Sequence, residues 1–211
     1  MSAFRQFLTA EQVRNRLAGT AMPVDPCRPV LADTPPHWPA SFVQRAEAGL
    51  RPAGVLVPII ERADSLSVLL TQRSAALRLH AGQVSFPGGR MEDADQDIMT
   101  TALRETHEEV GIAPDWVEIV GYLPPSPTVT GYSVTPVIGL LPGNVKVTID
   151  PGEVEAAFEV PLEFLMDSSN EQHSMRTYEG VEMPIVEFHH AGRRVWGATA
   201  MMLIQLRKLL I

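Results

Sequence analysis

The sequence predicts an α/β fold in which helices cover the faces of a mixed β-sheet. Two observations support this prediction. Short segments rich in apolar and β-branched residues recur along the chain, separated by glycine, proline and polar turn residues. Segments with helical periodicity lie among them at 93–112 and after them at 198–210. Such a mixture is typical of a single sandwich-like domain.

Each predicted strand has a short apolar centre and ends at turn residues. The strands are 53–61, 65–73, 84–89, 117–123, 134–141, the first half of 153–167, 183–190 and 193–197. The first two are joined by "RADS", which favours a β-hairpin, and the last two also form a predicted hairpin. The second half of 153–167 has a short helical pattern.

The segment 93–112, "DADQDIMTTALRETHEEVGI", has the strongest helical pattern in the chain. Asp95 is its predicted N-cap and Gly111 its predicted C-cap. Residues 3–18 are also predicted to form an amphipathic helix, because their apolar residues recur near helical spacing. These apolar residues are Phe4, Phe7, Leu8, Val13 and Leu17.

The first part of the chain differs in composition from the rest. Residues 23–39 are rich in proline and are predicted to be irregular, an arm or linker. We therefore predict an N-terminal helix and proline-rich arm over 1–50 and one folded domain over 51–211. A chain of 211 residues is long enough for a well-buried domain of this kind.

Charge and cysteine content exclude several classes of function. The net charge of −8 argues against a nonspecific binder of nucleic acid or of anionic membranes. Cys27 is the only cysteine, so neither an internal disulfide nor a cysteine-based zinc site is expected. The N-terminus lacks a secretory pattern, and the longest apolar stretch, "VWGATAMMLIQL", is too short to span a membrane. A cytoplasmic protein is therefore expected.

The helix over 93–112 contains an unusual cluster of acids. Glu105, Glu108 and Glu109 crowd one arc of the helix, where like charges repel each other. Two of them lie in the last turn, where the helix dipole disfavours anions. The cluster is therefore either a solvated face or a site for a divalent cation, which prefers oxygen ligands. Arg104, one turn before Glu108, is placed to hold a carboxylate through a bidentate contact.

The glycines upstream favour the cation site. "FPGG" ends a predicted strand, and together with "RETHEEVGI" it resembles the Nudix box, G-x5-E-x7-R-E-U-x-E-E-x-G-U, where U is a bulky aliphatic residue. One more residue separates Gly89 from Arg104 than the pattern has. Counting back from Arg104, the first glutamate position falls on Gln96, flanked by Asp95 and Asp97, and the residue that takes this glutamate's role stays open.

The segment before the box resembles one subgroup of the Nudix hydrolase superfamily. "LLTQRSAALRLHAGQVSFPGG", residues 69–89, is similar to the signature of the coenzyme A pyrophosphatases. Within it, Arg73 and His80 are candidates for binding substrate phosphate, whereas Arg78 is interpreted as a surface residue. Tyr132, which follows Thr130-Gly131, is a candidate for lining the substrate pocket, with a packing role in the turn as the alternative.

The resemblance implies a Nudix-type α/β/α sandwich with a mixed β-sheet. It also implies hydrolysis of the coenzyme A diphosphate to 3′,5′-ADP and 4′-phosphopantetheine, assisted by Mg²⁺ or Mn²⁺. The metal would be held by three glutamates and a backbone carbonyl, namely Glu105, Glu108, Glu109 and Gly88. Arg104 is a further candidate catalytic residue, and either Glu105 or Glu153 would accept the proton from water.

Three questions stay open at the level of sequence. The substrate is alternatively ADP-ribose, a dinucleotide or a nucleoside triphosphate. A non-catalytic Nudix-fold binding module is a further alternative, although such modules usually lose the acids that are present here. A homodimer contact is one role open to the N-terminal helix and arm, while no nucleic-acid or membrane partner is expected.

Overall fold

A computed structural model describes residues 8–31, 38–75 and 82–211. Three sequence predictions therefore concern residues outside the described ranges. They are the start of the N-terminal helix with Phe4 and Phe7, the interpretation of Arg78 as a surface residue, and the assignment of His80 to substrate binding. In the described ranges no helix is long and apolar enough to cross a membrane.

The described chain contains five α-helices, two short 3-10 helices (Pro114–Trp116 and Ser168–Asn170) and eleven strands. The helices are α1 (Ala10–Leu17), α2 (Ala40–Ala48), α3 (Ile98–Val110), α4 (Leu162–Met166) and α5 (Ala198–Leu210). The strands are β1 (Arg51–Arg62), β2 (Ser65–Arg73), β3 (Val84–Ser85), β4 (Gly88–Arg90), β5 (Glu118–Tyr122), β6 (Ser126–Pro127), β7 (Tyr132–Leu141), β8 (Val154–Pro161), β9 (Glu171–Tyr178), β10 (Val181–His190) and β11 (Arg193–Trp196).

The strands form one mixed sheet and one small antiparallel sheet. In the larger sheet β1 runs parallel to β7 and antiparallel to β2 and β4. Strands β3 and β8 pair with β2, and strands β5 and β6 pair with β7. The predicted hairpin at "RADS" is confirmed, because Arg62 pairs with Ser65. The smaller sheet has the order β11-β10-β9, and its β10–β11 pair confirms the second predicted hairpin.

Helices cover both faces of the larger sheet. Helix α3 packs on one face, where Ala102 contacts Leu56 and Val137. Its backbone approaches β1 so closely that a Cβ on Gly54 would lie 2.5 Å from the carbonyl oxygen of Ile98. Helices α1, α4 and α5 bury their apolar residues in the cluster on the opposite face. The predicted α/β architecture with a mixed sheet is confirmed.

One predicted cap is wrong. Helix α3 begins at Ile98, and its N-cap is Asp97, whose carboxylate accepts a hydrogen bond from the Thr100 N–H at 2.7 Å. Asp95 lies before the helix and accepts hydrogen bonds from Arg104 instead. The predicted C-cap is confirmed: Gly111 adopts the left-handed conformation, with φ of 68°.

Helix α2, strand β9 and the two-residue strand β6 were not predicted from the sequence. Helix α2 directly follows the proline-rich segment and buries only Phe42 and Ala46. Strand β9 is mostly exposed and has no run of apolar residues, so it lacks the alternation by which strands are recognised. The boundary between an arm over 1–50 and a domain over 51–211 stays a prediction, although Val13 and Leu17 of α1 belong to the main core.

Candidate active site

The candidate site lies where β4 passes the middle of α3. Strand β4 contains the double glycine of the "FPGG" sequence, and Gly89 pairs with Gly54 of β1. A Cβ on Gly89 would lie 2.5 Å from either carboxylate oxygen of Glu105. A side chain at residue 89 would therefore have to displace the carboxylate of Glu105, whereas glycine leaves it in place.

Glu109 is the most deeply buried acid of the cluster, with its side chain only 3% exposed. Its carboxylate accepts a hydrogen bond from the Gly88 N–H at 3.2 Å, and Arg73 Nη1 lies 3.5 Å away. Burial raises the pKa of Glu109 to about 7, because the hydrogen bond and Arg73 only partly offset the loss of solvent. The charges of Glu105 and Glu153 raise this pKa further.

The pKa of Glu105 is also subject to opposing effects. Burial raises its pKa, the neighbouring guanidinium of Arg104 lowers it, and the charges of Glu108 and Glu153 raise it again. Arg104 Nη1 lies 3.0 Å from a carboxylate oxygen of Glu105. Glu105, Glu109 and the exposed Glu153 are therefore close enough for their charges to repel one another.

Arg104 forms the centre of an ion-pair network at the helix surface. Its Nε and Nη2 atoms donate to the two carboxylate oxygens of Asp95 at 2.9 and 3.0 Å. Its Nη1 atom donates to Glu108 at 3.0 Å, and its Nη2 atom also lies 3.3 Å from the carbonyl oxygen of Arg90. The bidentate ion pair between Arg104 and Asp95 lowers the pKa of Asp95 to about 2.

The network distinguishes the two acids that flank Gln96. Among Asp95, Gln96 and Asp97, only Asp95 pairs with Arg104, while Asp97 caps the helix. Sequence reasoning missed this pair because the extra residue after Gly89 shifts the aspartate by one position from the expected glutamate. The signal that could have found it was the presence of an acid next to Gln96.

Strands β2 and β8 bring two further candidates to the site. Arg73 ends β2 and pairs in register with Val154, the first residue of β8. Glu153 precedes β8, and its carbonyl oxygen accepts a hydrogen bond from the Ser74 N–H at 2.8 Å. The structure thus brings Arg73, Glu105, Glu109 and Glu153 together beside Gly88.

Two other predicted residues lie apart from this group. The side chain of Glu108 is 55% exposed and is bonded to Arg104. Tyr132 begins β7 and packs against the core cluster of the opposite sheet face, where the guanidinium of Arg51 lies 4.3 Å above its ring. Tyr132 therefore does not contact the acids of α3.

The donor set fits a divalent cation of the Mg²⁺ type. Among the described residues, no three His, Cys, Asp or Glu side chains already converge as a complete metal cage. Mg²⁺ does not need such a cage, because it commonly binds one or two carboxylates and completes its shell with water and substrate phosphate. The mutually repelling carboxylates of the half-buried Glu105 and the buried Glu109 are the oxygen ligands that such an ion would stabilise.

Comparison with known proteins agrees with this geometry. The family model described as "NUDIX domain" matches residues 50–179. Two relatives, each named "Uncharacterized Nudix hydrolase NudL", come from Escherichia coli O7:K1 and Shigella boydii serotype 4. They are 49% and 50% identical over 120 residues. The alignments cover 57% of this chain and 62% of each relative, so the match spans less than two thirds of their length.

A solved structure shows a similar fold. The Nudix hydrolase RenU from M. smegmatis superposes with a TM-score of 0.52 at 17% identity, covering 77% of this chain and 90% of that one. At this level of identity the likeness concerns the fold alone. It agrees with the α/β/α sandwich described above.

Proposed function

Because this chain belongs to the Nudix family, we propose that it hydrolyses the diphosphate linkage of coenzyme A or of a coenzyme A derivative. The products are 3′,5′-ADP and 4′-phosphopantetheine or its derivative. The observation that supports hydrolysis is the position of the half-buried Glu105 and the buried Glu109 beside Gly88 and Gly89. The coenzyme A assignment rests on the similarity of residues 69–89 to the coenzyme A pyrophosphatase signature.

The carboxylates would hold the metal, and Arg73 would hold the substrate. Glu105, Glu109 and the Gly88 carbonyl would provide oxygen ligands for Mg²⁺ or Mn²⁺, with Glu108 available from the exposed side of the cluster. The bound ion would supply neutralisation of phosphate charge and a lower pKa for the attacking water. Arg73, next to Glu109, orients the diphosphate through its guanidinium fork. Arg104 and Asp95 keep Glu105 in place through their ion pairs.

Glu153 is the proposed proton acceptor. Glu105 is already paired with Arg104, whereas no ion pair to Glu153 occurs among the described residues. Water forms a new bond to one phosphorus, the bridging P–O bond breaks, and Glu153 accepts the proton that the water loses. The proton then passes to solvent or to the leaving phosphate.

The decisive experiment identifies products by mass. Purified protein is incubated with coenzyme A and Mg²⁺ or Mn²⁺, and in parallel with ADP-ribose, a diadenosine polyphosphate and a nucleoside triphosphate. We expect 4′-phosphopantetheine and 3′,5′-ADP, with the highest kcat/KM for coenzyme A or its derivatives. Faster turnover of another substrate would overturn the coenzyme A assignment, and absence of any product from all of them would overturn catalysis itself.

A further inference from the structure

The guanidinium of Arg51, the first residue of β1, is held in position by the loop before β7. The Arg51 N–H donates to the Gly131 carbonyl oxygen at 3.2 Å, which fixes the backbone of Arg51 to the loop before β7. Its guanidinium stacks on Tyr132, with 4.3 Å between Cζ and the ring centroid, and Nη2 lies 3.4 Å from the Thr130 carbonyl oxygen. Apart from the Nη2 contact with Thr130, stacking leaves the N–H donors at the edge of the guanidinium accessible to another acceptor.

The loop under Arg51 is itself well ordered by hydrogen bonds. The Thr128 hydroxyl accepts from the Tyr132 N–H at 3.0 Å and lies 3.1 Å from the Thr130 hydroxyl. The Gly131 N–H donates to the Thr128 carbonyl oxygen at 3.0 Å. Arg51 is therefore held by a formed turn, so that little conformational entropy remains to be lost when a ligand binds.

Arg51 also has no acidic partner in the part of the chain that the structure describes, where most arginines have one. Most arginines of the described ranges form ion pairs, including Arg73, Arg90 and Arg104 around the site. Four in these ranges have no described carboxylate within ion-pairing distance. They are Arg16, Arg51, Arg176 and Arg193.

Among these four, Arg51 is the one on the strand that borders the candidate active site. Strand β1 pairs with the double glycine through Gly54 and Val55. Three residues along a strand separate Arg51 from Gly54, which is about 10 Å. Arg16 belongs to α1, and the other two arginines belong to the smaller sheet.

We infer that Arg51, held on Tyr132, binds a second phosphate of the substrate, the 3′-phosphomonoester of coenzyme A, and so selects coenzyme A over its dephosphorylated form. This inference rests on the proposed function. A phosphomonoester has about −1.5 to −2 charges at neutral pH and several acceptor oxygens, which suit a guanidinium with free donors. The metal ligands and Arg73 serve the diphosphate, so this second anion needs a cation of its own.

The two groups lie on different faces of the sheet near strand β4. Arg51 and Tyr132 share the face opposite α3, whereas the acids lie on the α3 side. Strand β4 pairs with β1 alone among the described strands, so an extended substrate can reach from one face to the other around the outer edge of β4. An extended molecule such as coenzyme A can therefore place its diphosphate at the acids and its 3′-phosphate at Arg51.

The test compares coenzyme A with dephospho-coenzyme A, which lacks only the 3′-phosphate. Both substrates yield 4′-phosphopantetheine, so one readout gives kcat/KM for each. In Arg51→Gln we expect kcat/KM for coenzyme A to fall by about tenfold to a hundredfold. The kcat/KM for dephospho-coenzyme A should change by less than about threefold. For Arg51→Lys we expect a kcat/KM for coenzyme A between those of wild type and Arg51→Gln, because lysine keeps the charge but lacks the planar guanidinium.

Arg176→Gln is the matched control. Arg176 is also exposed, has no carboxylate partner among the described residues and stacks on an aromatic ring, that of Trp196 at 4.9 Å. Its replacement removes the same charge from the smaller sheet and should leave both kcat/KM values unchanged. If Arg176→Gln and Arg51→Gln lowered kcat/KM for coenzyme A by the same factor, only the net charge would matter, and the inference would be overturned.

The failures of the two proposals are distinguishable. If wild-type protein releases no 4′-phosphopantetheine from either substrate, the proposed function fails. If wild type hydrolyses coenzyme A but Arg51→Gln leaves kcat/KM unchanged, or lowers kcat/KM for both substrates by the same factor, only the proposed role of Arg51 is refuted. A selective loss for coenzyme A supports both.

Discussion

A buried carboxylate is costly unless hydrogen bonds or a cation stabilise its charge. Glu109 receives one backbone N–H and a long contact from Arg73, and its pKa nevertheless stays raised to about 7. A divalent ion between Glu109 and Glu105 would reverse this cost. The burial of these two residues is therefore the feature on which the proposed hydrolysis depends.

Replacing Glu109 with Gln should lower kcat by about two orders of magnitude or more, because it removes a metal ligand. The metal-free protein should be as stable as wild type or more stable, because an unfavourable buried charge is removed. Steady-state kinetics and urea unfolding in EDTA measure the two effects. Glu155→Gln, at an exposed position of β8, should change neither kcat nor the stability of the metal-free protein. Wild-type turnover of Glu109→Gln with saturating metal would contradict the proposed site.

The pair between Asp95 and Arg104 predicts a pH dependence of stability. The folded-state pKa of Asp95, about 2, lies below its usual value near 3.9. The ionised carboxylate therefore stabilises the fold above the unfolded-state pKa, and this stabilisation is lost as the pH falls toward 2. Wild type should exceed Asp95→Asn by roughly 1–2 kcal/mol in free energy of unfolding at pH 7, and by clearly less at pH 3. A difference that is constant with pH would refute the pair's contribution.

Strand β4 and helix α3 form the site through their close approach. The helix is capped by Asp97 and ended by Gly111, and it packs over Gly54 so that its acids lie beside Gly88 and Gly89. The position of Glu105 relative to β4 depends on the missing side chain at residue 89. Helix and strand therefore define the site together, and neither does so alone.

Gly89→Ala tests this contact between elements. The new Cβ would lie 2.5 Å from the Glu105 carboxylate oxygens, so the carboxylate must move. Because the backbone of Gly89 is not in the left-handed region, alanine adds no backbone strain there. We expect kcat to fall at least tenfold, on the order expected for a misplaced group, with a modest change in thermal stability. Gly19→Ala, where a Cβ meets nothing within 4 Å, should behave like wild type.

At the scale of the whole molecule, α1 belongs to the main core although the sequence predicted that it forms part of an appended arm. Leu17 is fully buried, and a Cβ on Gly121 of β5 would lie 2.8 Å from the Leu17 Cβ. The Thr20 hydroxyl also accepts a hydrogen bond from the Tyr122 N–H at 2.9 Å. Residues well before position 51 therefore stabilise the sheet that holds the site.

Leu17→Ala should lower the free energy of unfolding by about 2–4 kcal/mol, because it leaves a cavity between α1 and the sheet. Denaturant unfolding followed by circular dichroism measures this loss. Val24→Ala, at a fully exposed residue, should change the stability by less than about 0.5 kcal/mol. If both variants unfold like wild type, α1 is an independent arm as the sequence alone predicted.

Local patterns in the sequence determined the α/β class, both hairpins, the end of α3 at Gly111 and the crowding of acids on one helix. These features depend on residues that are near neighbours in the chain. Only the tertiary structure decided that Asp95 pairs with Arg104 while Asp97 caps the helix, that Glu109 is buried while Glu108 is exposed, and that Arg51 stacks on Tyr132. Burial and ion pairing depend on contacts between segments far apart in sequence, and those contacts exist only once the sheet has assembled.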